Sequence, residues 1–285
     1  MEQVKGQQPI AILMATYNGE RYISEQLDSI MRQSCTSWQL FVHDDGSTDQ
    51  TPAILRSYAL EHDNMTVLEY ESQRGSAANF LSLLQRVEAD YYMFSDQDDV
   101  WRNDKIQVSF DAMQNEETAH PGKPVIVYSD LCVTDKALKV VCESFWQQSN
   151  IHPEFLTKFA DIAAVTPATG STMLFNRQAR QQAVYPANHA TMHDAWVTAC
   201  VLRTDGIIHP ISQPLVSYRQ HEDNVIGAAS ANRITLAYRL RNAKKMLAQN
   251  KRHYAMLRSL GYGSVIKYII YKIYYKIRIH RQSKR

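Results

Sequence analysis

The chain has 285 residues, 45% of them hydrophobic, so it can bury one large core, or one core with an appendage. The net charge of +2 hides an asymmetry, because residues 1–223 carry 16 basic and 29 acidic side chains, whereas residues 224–285 carry 15 basic and no acidic ones. The polar start, the absence of an apolar stretch near the roughly 20 residues of a membrane-spanning helix, and cysteines without CxxC spacing favour a cytoplasmic protein with reduced thiols.

Apolar runs of strand length alternate with helical patterns through the first half of the chain, about every 25 residues. The alternation predicts an α/β fold, with a mostly parallel, Rossmann-like sheet and helices on both of its faces. The predicted order is strand 10–14, helix 23–33, strand 38–43, helix 50–60, helix 76–87, strand 91–95, helix 102–115 and strand 124–130.

The second half is less regular, and residues 131–161 are expected to shape the side of the site that takes an acceptor. A glycine-containing turn at Gly170 leads into an apolar strand, and either a plain turn or a substrate contact fits it equally. His193 and Asp194 open a helix whose apolar run is 197–202, where Asp194 could be a cap. A short strand, 214–216, is followed by His221 among polar residues, so His221 lies in a polar loop rather than a core.

The strongest functional signal is the acidic segment Asp96–Asp99, which directly follows the apolar strand 91–95. Ligands of open α/β sheets bind at the carboxyl ends of the strands. Three carboxylates within four positions repel one another unless they share a cation. Oxygen ligands favour Mg²⁺ or Mn²⁺, ions that bridge protein carboxylates to phosphates. A solvated acidic turn that caps the next helix is the alternative for this segment alone.

Two more strand ends carry polar groups ahead of a helix. Strand 38–43 runs into Asp44 and Asp45, which helix capping by the following Ser, Thr and Asp does not explain. Strand 10–14 runs into Ala15, Thr16 and Tyr17. Three such ends at one sheet edge predict a nucleotide site.

The acid-free end of the chain reads as helix beyond Asp223. Its last part places Lys267, Lys272 and Lys276 in one helical sector among Ile and Tyr, which favours an anionic membrane surface. Docking on the acidic body, or contact with another subunit of an oligomer, is the second interpretation. A nucleic-acid arm is the least favoured, because the segment is rich in Ile. We divide the chain into a domain of residues 1–227 and a basic helical extension of residues 228–285.

In chain order, the motifs are Ala-Thr-Tyr-Asn-Gly, Asp-Asp-Gly-Ser-Thr-Asp, Asp-Gln-Asp-Asp-Val-Trp, Thr-Gly-Ser, His-Asp-x-Trp and Tyr-Arg-Gln-His. This ordered set resembles family-2 glycosyltransferases of the GT-A fold over roughly residues 8–227. The Asp-Gln-Asp-Asp-Val-Trp and Tyr-Arg-Gln-His forms look most similar to bacterial rhamnosyltransferases of surface polysaccharide synthesis.

The resemblance implies roles for individual residues. The donor base would contact Tyr17 with the backbone of Ala15 and Thr16, and Asp45 would accept its imide N–H. The ribose would be held by Asp96, the metal by Asp98 and His221, and the diphosphate charge would be offset by Arg74. The acceptor side, or its support, would comprise Asp99, Gly170 and His193. The general base would be Asp194.

The resemblance further implies an inverting transfer from a nucleoside-diphosphate sugar, with Mg²⁺ or Mn²⁺ as cofactor. The expected donor is dTDP-L-rhamnose first and a UDP-hexose (galactose or glucose) second. A lipid-linked oligosaccharide is the expected acceptor, on the inner face of the plasma membrane. A nucleotidyltransferase and a non-catalytic scaffold of the same fold are the alternatives.

Overall fold

The computed structural model describes residues 10–73, 75–184, 189–221 and 243–282. The strands are β1 (Ile10–Thr16), β2 (Trp38–Asp44), β3 (Met65–Val67), β4 (Tyr91–Ser95), β5 (Val100–Trp101), β6 (Val125–Thr134), β7 (Val140–Cys142), β8 (Met173–Asn176) and β9 (Ile207–Arg219). The helices are α1 (Ile23–Met31), α2 (Thr51–Glu61), α3 (Ser76–Arg86), α4 (Lys105–Ala119), α5 (Phe145–Ser149), α6 (Arg177–Ala183), α7 (His193–Arg203), α8 (Ala243–Ser259) and α9 (Val265–Gln282). These elements confirm the predicted α/β class.

One sheet runs in the order β3-β2-β1-β4-β8-β6-β9-β5, and β7 pairs with β6. The strands β3, β2, β1 and β4 are parallel to one another, and so are β6 and β9. The short strand β8 is antiparallel to both β4 and β6, and so joins the two parallel parts.

The register of the parallel part brings three strand ends to one edge. Thr16 pairs with Asp44 on β2, and Met14 pairs with Ser95 on β4. Because neighbouring strands lie only about 5 Å apart, the loops that follow β1, β2 and β4 are adjacent. The sheet edge predicted for the nucleotide is therefore formed.

Both faces of the sheet are covered, as predicted. Along β1, Met14 points into one apolar layer with Leu27 of α1, whereas Leu13 points into the other with Phe80 of α3. Successive strand residues face opposite sides, so a strand buried on both faces is apolar throughout, which explains the uninterrupted apolar run of β1.

Several boundaries differ from prediction, among them the ends of α4 and β6, and pairing between β5 and β9 bears on two of them. β9 spans 13 residues, although only 214–216 was predicted as strand. Among the described strands, β5 pairs with β9 only at Ser217 and Val216. The earlier part of β9 is thus an open edge, where proline is tolerated. Since Trp101 belongs to β5, α4 starts at Lys105 instead of near 102.

The basic extension is helical, as predicted, and it packs on the body. Leu257 of α8 and Tyr268 of α9 belong to the same buried cluster as β1 and α3. The Tyr262 hydroxyl donates to the Ala160 carbonyl (2.6 Å), and the Tyr275 hydroxyl accepts the His152 N–H (3.0 Å). The proposed domain boundary at 227/228 lies outside the described residues.

No helix in the described ranges is both long enough and apolar enough to cross a membrane.

Leu257 tests whether the extension and the body share one core. Leu257→Ala removes a side chain that is 0% exposed, and we expect it to lower the free energy of unfolding by about 2–5 kcal/mol. Leu247→Ala, on the same helix but 56% exposed, should change that energy by less than about 0.5 kcal/mol. Urea unfolding of the full chain measures both, and equal effects would contradict a shared core.

Candidate active site

The turn after β2 separates the roles of its two aspartates. The Asp44 carboxylate accepts the Thr16 hydroxyl (2.8 Å) and the Ser47 N–H (2.8 Å), so it holds the turn itself. The Asp45 carboxylate accepts the backbone N–H groups of Gln73 (2.6 Å) and Gly75 (2.8 Å). Asp45 therefore connects the sheet edge to the loop that contains Arg74, a residue that itself lies outside the described residues.

Gln97 links the ends of β1 and β4. Its side-chain amide accepts the Tyr17 N–H (2.9 Å) and donates to the Tyr17 carbonyl (3.0 Å). The Tyr17 ring remains 58% exposed and available to a ligand. A Cβ at Gly19 would overlap the Gln97 carboxamide, so the close approach needs glycine there. Gln97 was not among the predicted site residues, because nothing in the sequence indicates that its side chain bonds to the residue after β1.

The acidic segment after β4 divides between a cavity and the interior. Asp96 and Asp98 line a cavity of about 550 Å³. The Asp98 carboxylate contacts His221 Nε2 at 2.8 Å, which brings together the two residues predicted to hold a metal. Asp99 is fully buried and accepts the Arg219 N–H (3.3 Å). Of the two roles predicted for Asp99, its position favours support of Asp98 over contact with an acceptor.

Asp194 lines the same cavity from the start of α7. Its carboxylate accepts the N–H groups of Gly170 (3.1 Å) and Ala195 (2.6 Å), which fix its direction. Burial raises the pKa of Asp194 to about 6 despite these bonds. Burial, with the charges of Asp98 and Asp194, raises the pKa of Asp96 to about 7. The cavity thus concentrates negative charge and favours a cation.

His193 and Gly170 support Asp194 by packing. The His193 ring lies 4.0 Å from Phe80 and 4.7 Å from Phe94, centroid to centroid. Burial lowers the pKa of His193 to about 3, so the ring is neutral at physiological pH. A Cβ at Gly170 would overlap His193 Nε2. Both residues therefore set where α7 begins. Of the roles predicted for them, this position favours support of the site over contact with an acceptor.

Arg219 is a buried residue of the Tyr-Arg-Gln-His motif, and it was not among the predicted site residues. Its guanidinium donates to the Asp98 carbonyl (2.9 Å) and to the Glu25 carboxylate (2.8 Å), and lies over the Tyr22 ring at 4.5 Å. A charged side chain that is 1% exposed needs such partners. In the sequence it stands after the predicted short strand 214–216, two positions before His221, and nothing there indicates its burial. Arg219 fixes the backbone that carries Asp98.

The far wall of the cavity comes from the less regular region and from the basic extension. Leu131, Phe145 and Ile151 line it, and they come from the region that was predicted to shape the acceptor side. Three residues of α8 complete the wall: Gln249, Asn250 and His253. No sequence signal indicated this contribution of α8. Lys272 Nζ donates to the Asn250 side-chain oxygen Oδ1 (2.9 Å), and His253 Nδ1 contacts the Tyr268 hydroxyl (3.1 Å).

Asp98 and His221 fit a divalent ion that a ligand's phosphates complete. Within the described ranges, no group of three His, Cys, Asp or Glu side chains could hold a metal. Mg²⁺ is commonly bound by one or two carboxylates, substrate phosphates and waters. The Asp98 carboxylate beside the cavity meets the protein's share of that requirement, and His221 Nε2 lies 2.8 Å from it.

The sheet has the GT-A fold of the solved glycosyltransferases that it resembles. The chain belongs to glycosyl transferase family 2, whose family model, "Glycosyl transferase family 2", matches residues 11–182. That match contains the loops after β1, β2 and β4. It ends before Asp194 and His221, so the geometry described above is what connects these two residues to the same site.

Similar proteins agree with the family. The dTDP-rhamnosyl transferase RfbG of Shigella flexneri is 30% identical over 75% of this chain and 74% of its own length. The mannosyltransferase PcManGT of Pyrobaculum calidifontis, solved with GDP-Man and Mn²⁺, is 21% identical, with a TM-score of 0.58 over 97% of this chain and 71% of its own. TarS of S. aureus, solved as residues 1–349 with UDP, is 19% identical, with a TM-score of 0.55 over 74% of this chain. This chain spans 60% of that TarS structure.

The raised pKa of Asp194 predicts a pH-dependent stability. Between pH 3.8 and about 6 the folded state holds a proton that the unfolded state releases, so stability falls as the pH rises through this window. Asp194→Asn carries no charge and should therefore be more stable than wild type at pH 8, by about 1–3 kcal/mol.

Unfolding in chelator, without nucleotide, measures this difference at pH 8 and at pH 4, where it should vanish. Asp63→Asn, at an exposed position, is the control and should leave stability unchanged. A gain of the same size at both pH values would contradict the assignment to the Asp194 charge.

Proposed function

We propose that the protein is a metal-dependent, inverting glycosyltransferase, which moves L-rhamnose from dTDP-L-rhamnose to a hydroxyl of a lipid-linked oligosaccharide during surface polysaccharide synthesis. One observation carries the proposal: Asp98, which contacts His221, and the carboxylate of Asp194 line one cavity beside the parallel strand ends. Asp98 and His221 suit a diphosphate and its ion, and the Asp194 carboxylate suits a general base.

The nucleoside would lie along the edge formed by β1, β2 and β4. The exposed ring of Tyr17 offers a stacking surface, beside the backbone of Ala15 and Thr16. Asp45 would accept the imide N–H of a thymine or uracil base, and Asp96 would accept the ribose hydroxyls. Gln97 acts indirectly, because it fixes the Tyr17 backbone from both sides. Arg74 keeps its proposed role at the diphosphate.

The ion would be held by Asp98 and His221 together with the two phosphates. When bound, it would supply Lewis-acid stabilisation of the charge that develops on the leaving diphosphate. Arg219 contributes by holding the Asp98 carbonyl, which leaves the Asp98 carboxylate directed to the cavity.

Asp194 would take the proton of the acceptor hydroxyl, as a general base. The bond from the acceptor oxygen to the anomeric carbon forms while the bond from that carbon to the diphosphate oxygen breaks, so the configuration inverts. A pKa of about 6 keeps Asp194 ionised at neutral pH and makes it a stronger base than an exposed aspartate. The N–H groups of Gly170 and Ala195 hold it in place.

The choice of donor is supported by relatives. RfbG is described as a dTDP-rhamnosyl transferase, and it matches three quarters of this chain. A UDP-hexose is the second candidate, since a WfgD of Escherichia coli, described as a UDP-Glc-dependent glucosyltransferase acting on GlcNAc-diphosphoundecaprenol, is 28% identical over 36% of this chain. That description also supports a lipid-linked acceptor. The apolar wall with Leu131, Phe145 and Ile151 would face the acceptor.

Donor binding should depend on Mn²⁺ and on Asp98. In a thermal-shift and calorimetric screen, dTDP-L-rhamnose with Mn²⁺ should stabilise the protein more than UDP-hexoses do, and chelator should remove most of the effect. Asp98→Ala should weaken Mn²⁺-dependent binding by about tenfold or more, because one charged ligand is lost. Asp63→Ala is the control. Unchanged affinity in Asp98→Ala would contradict the ligand role, and a preference for a UDP-hexose would change the donor.

Asp194→Asn should lose the chemistry and keep donor binding. Release of nucleoside diphosphate from dTDP-L-rhamnose, with water as nucleophile, should fall by about 10²–10⁴-fold, because a general base is removed. The wild-type rate should rise with pH through about 6, as Asp194 ionises. Asp63→Asn controls for the loss of a charge. A variant that retains turnover would refute the base assignment.

A further inference from the structure

The last helix, α9, has two apolar faces instead of one. Its inner face packs on the body through Tyr268 (4% exposed) and Ile279 (8% exposed), and through the Tyr275 hydroxyl bonded to His152. A helix at the surface of a globular protein usually has one apolar stripe, which faces the core, and a polar face towards solvent. The inner face already accounts for the packing of α9.

The second face is turned to solvent. Its members are spaced three or four residues apart, so they share one side of the helix. Each is between 47% and 67% exposed. They are Ile266, Ile269, Ile270, Ile273, Tyr274 and Ile277, and we call them the outer face. A contiguous exposed patch of this kind marks an interaction surface, whereas single exposed apolar residues do not.

Basic side chains border the outer face. By helical spacing, Lys267 and Arg278 lie along one side of it and Lys276 along the other. Within the described ranges, no Lys or Arg of α8 or α9 forms an ion pair with an acidic side chain. The extension docks on the acidic body mainly through aromatic and apolar contacts, with the Arg278 guanidinium over the Phe155 ring at 3.9 Å. The charges of Lys267 and Lys276 are not paired with acids of the body in the described ranges.

Charge decides between a bilayer and a second copy of the chain as the occupant. Residues 224–285 carry 15 basic and no acidic side chains. Two copies that met through their outer faces would bring like charges together at the rim. An anionic bilayer offers an apolar interior for the isoleucines and negative headgroups for the bordering cations.

We propose that the outer face of α9 lies on an anionic lipid bilayer, with its isoleucines at the acyl boundary and Lys267 and Lys276 at the headgroups. The same helix fixes α8 through the Lys272–Asn250 bond, and α8 closes the cavity. Docking would therefore hold the cavity wall at the membrane. That consequence rests on the proposed lipid-linked acceptor, while binding to the bilayer does not.

The test is flotation of the full chain with vesicles, without nucleotide. Vesicles of phosphatidylglycerol and phosphatidylcholine should carry the protein, and binding should weaken as salt rises, because headgroup attraction is screened. Pure phosphatidylcholine should bind it at least about tenfold more weakly. Absence of binding to the anionic vesicles at low salt overturns the proposal.

Matched substitutions separate the outer face from general exposure. Ile269→Ser combined with Ile273→Ser should weaken vesicle binding by about tenfold or more, because two apolar side chains no longer enter the bilayer. Leu60→Ser on α2 changes an 88% exposed aliphatic residue of the body and should have no effect. Lys276→Glu should also weaken binding, unlike Lys139→Glu in the body. If the double Ile variant binds vesicles as well as Leu60→Ser does, or Lys276→Glu binds as well as Lys139→Glu does, the outer face is not the surface that binds the bilayer.

Two further measurements distinguish a failure of the membrane proposal from a failure of the donor assignment. Sedimentation of the wild type without vesicles should show a monomer; a dimer abolished by the two Ile substitutions, together with no vesicle binding, would make a second copy the occupant. The donor-induced thermal shift with Mn²⁺ should be the same in wild type and in the Ile variant. If that shift is absent from both while vesicles still bind, the donor assignment fails and the membrane surface stands.

Discussion

Electrostatic crowding in one cavity is the constraint on which the site depends. Asp96, Asp98 and Asp194 share a cavity, and burial with mutual repulsion raises the pKa of Asp96 to about 7. Such a group of carboxylates costs free energy in the empty protein, and the cost falls when a cation enters or when a proton is taken up. The crowding therefore destabilises the fully ionised, empty cavity. It raises the affinity of the cavity for a cation and for a proton, the two species that the proposed transfer handles.

The residues that maintain this crowding differ from those that would do the chemistry. Gln97 holds the loop after β1, Arg219 holds the backbone of Asp98, and His193 sets the start of α7. Each of the three bridges elements that are far apart in sequence. Without them, repulsion between the carboxylates could be relieved by small movements of the loops, and the geometry of base and metal ligands would be lost. Positioning of this kind is what a preorganised site requires.

Local patterns predicted those parts of the fold that local physics determines. The apolar runs of β1, β2 and β4 and the polar residues after them were visible in the sequence, and with them the sheet edge that carries Asp45, Asp96 and Asp98. The extent of β9 was not, because tolerance of its prolines depends on an open edge that only the pairing with β5 defines. The contribution of α8 to the cavity was also out of reach, since it depends on docking across the whole chain.

The charge asymmetry of the sequence acquires a structural meaning from the two faces of α9. An acidic body and a basic extension could have neutralised each other, which was one of the interpretations left open. Instead, the inner face docks through Tyr268 and Ile279, and no described cation of α8 or α9 pairs with an acid of the body. The acids then crowd the cavity, while Lys267, Lys276 and the exposed isoleucines face outward. One helical pair thereby separates the two charges in space, and it closes the cavity with the side that it turns inward.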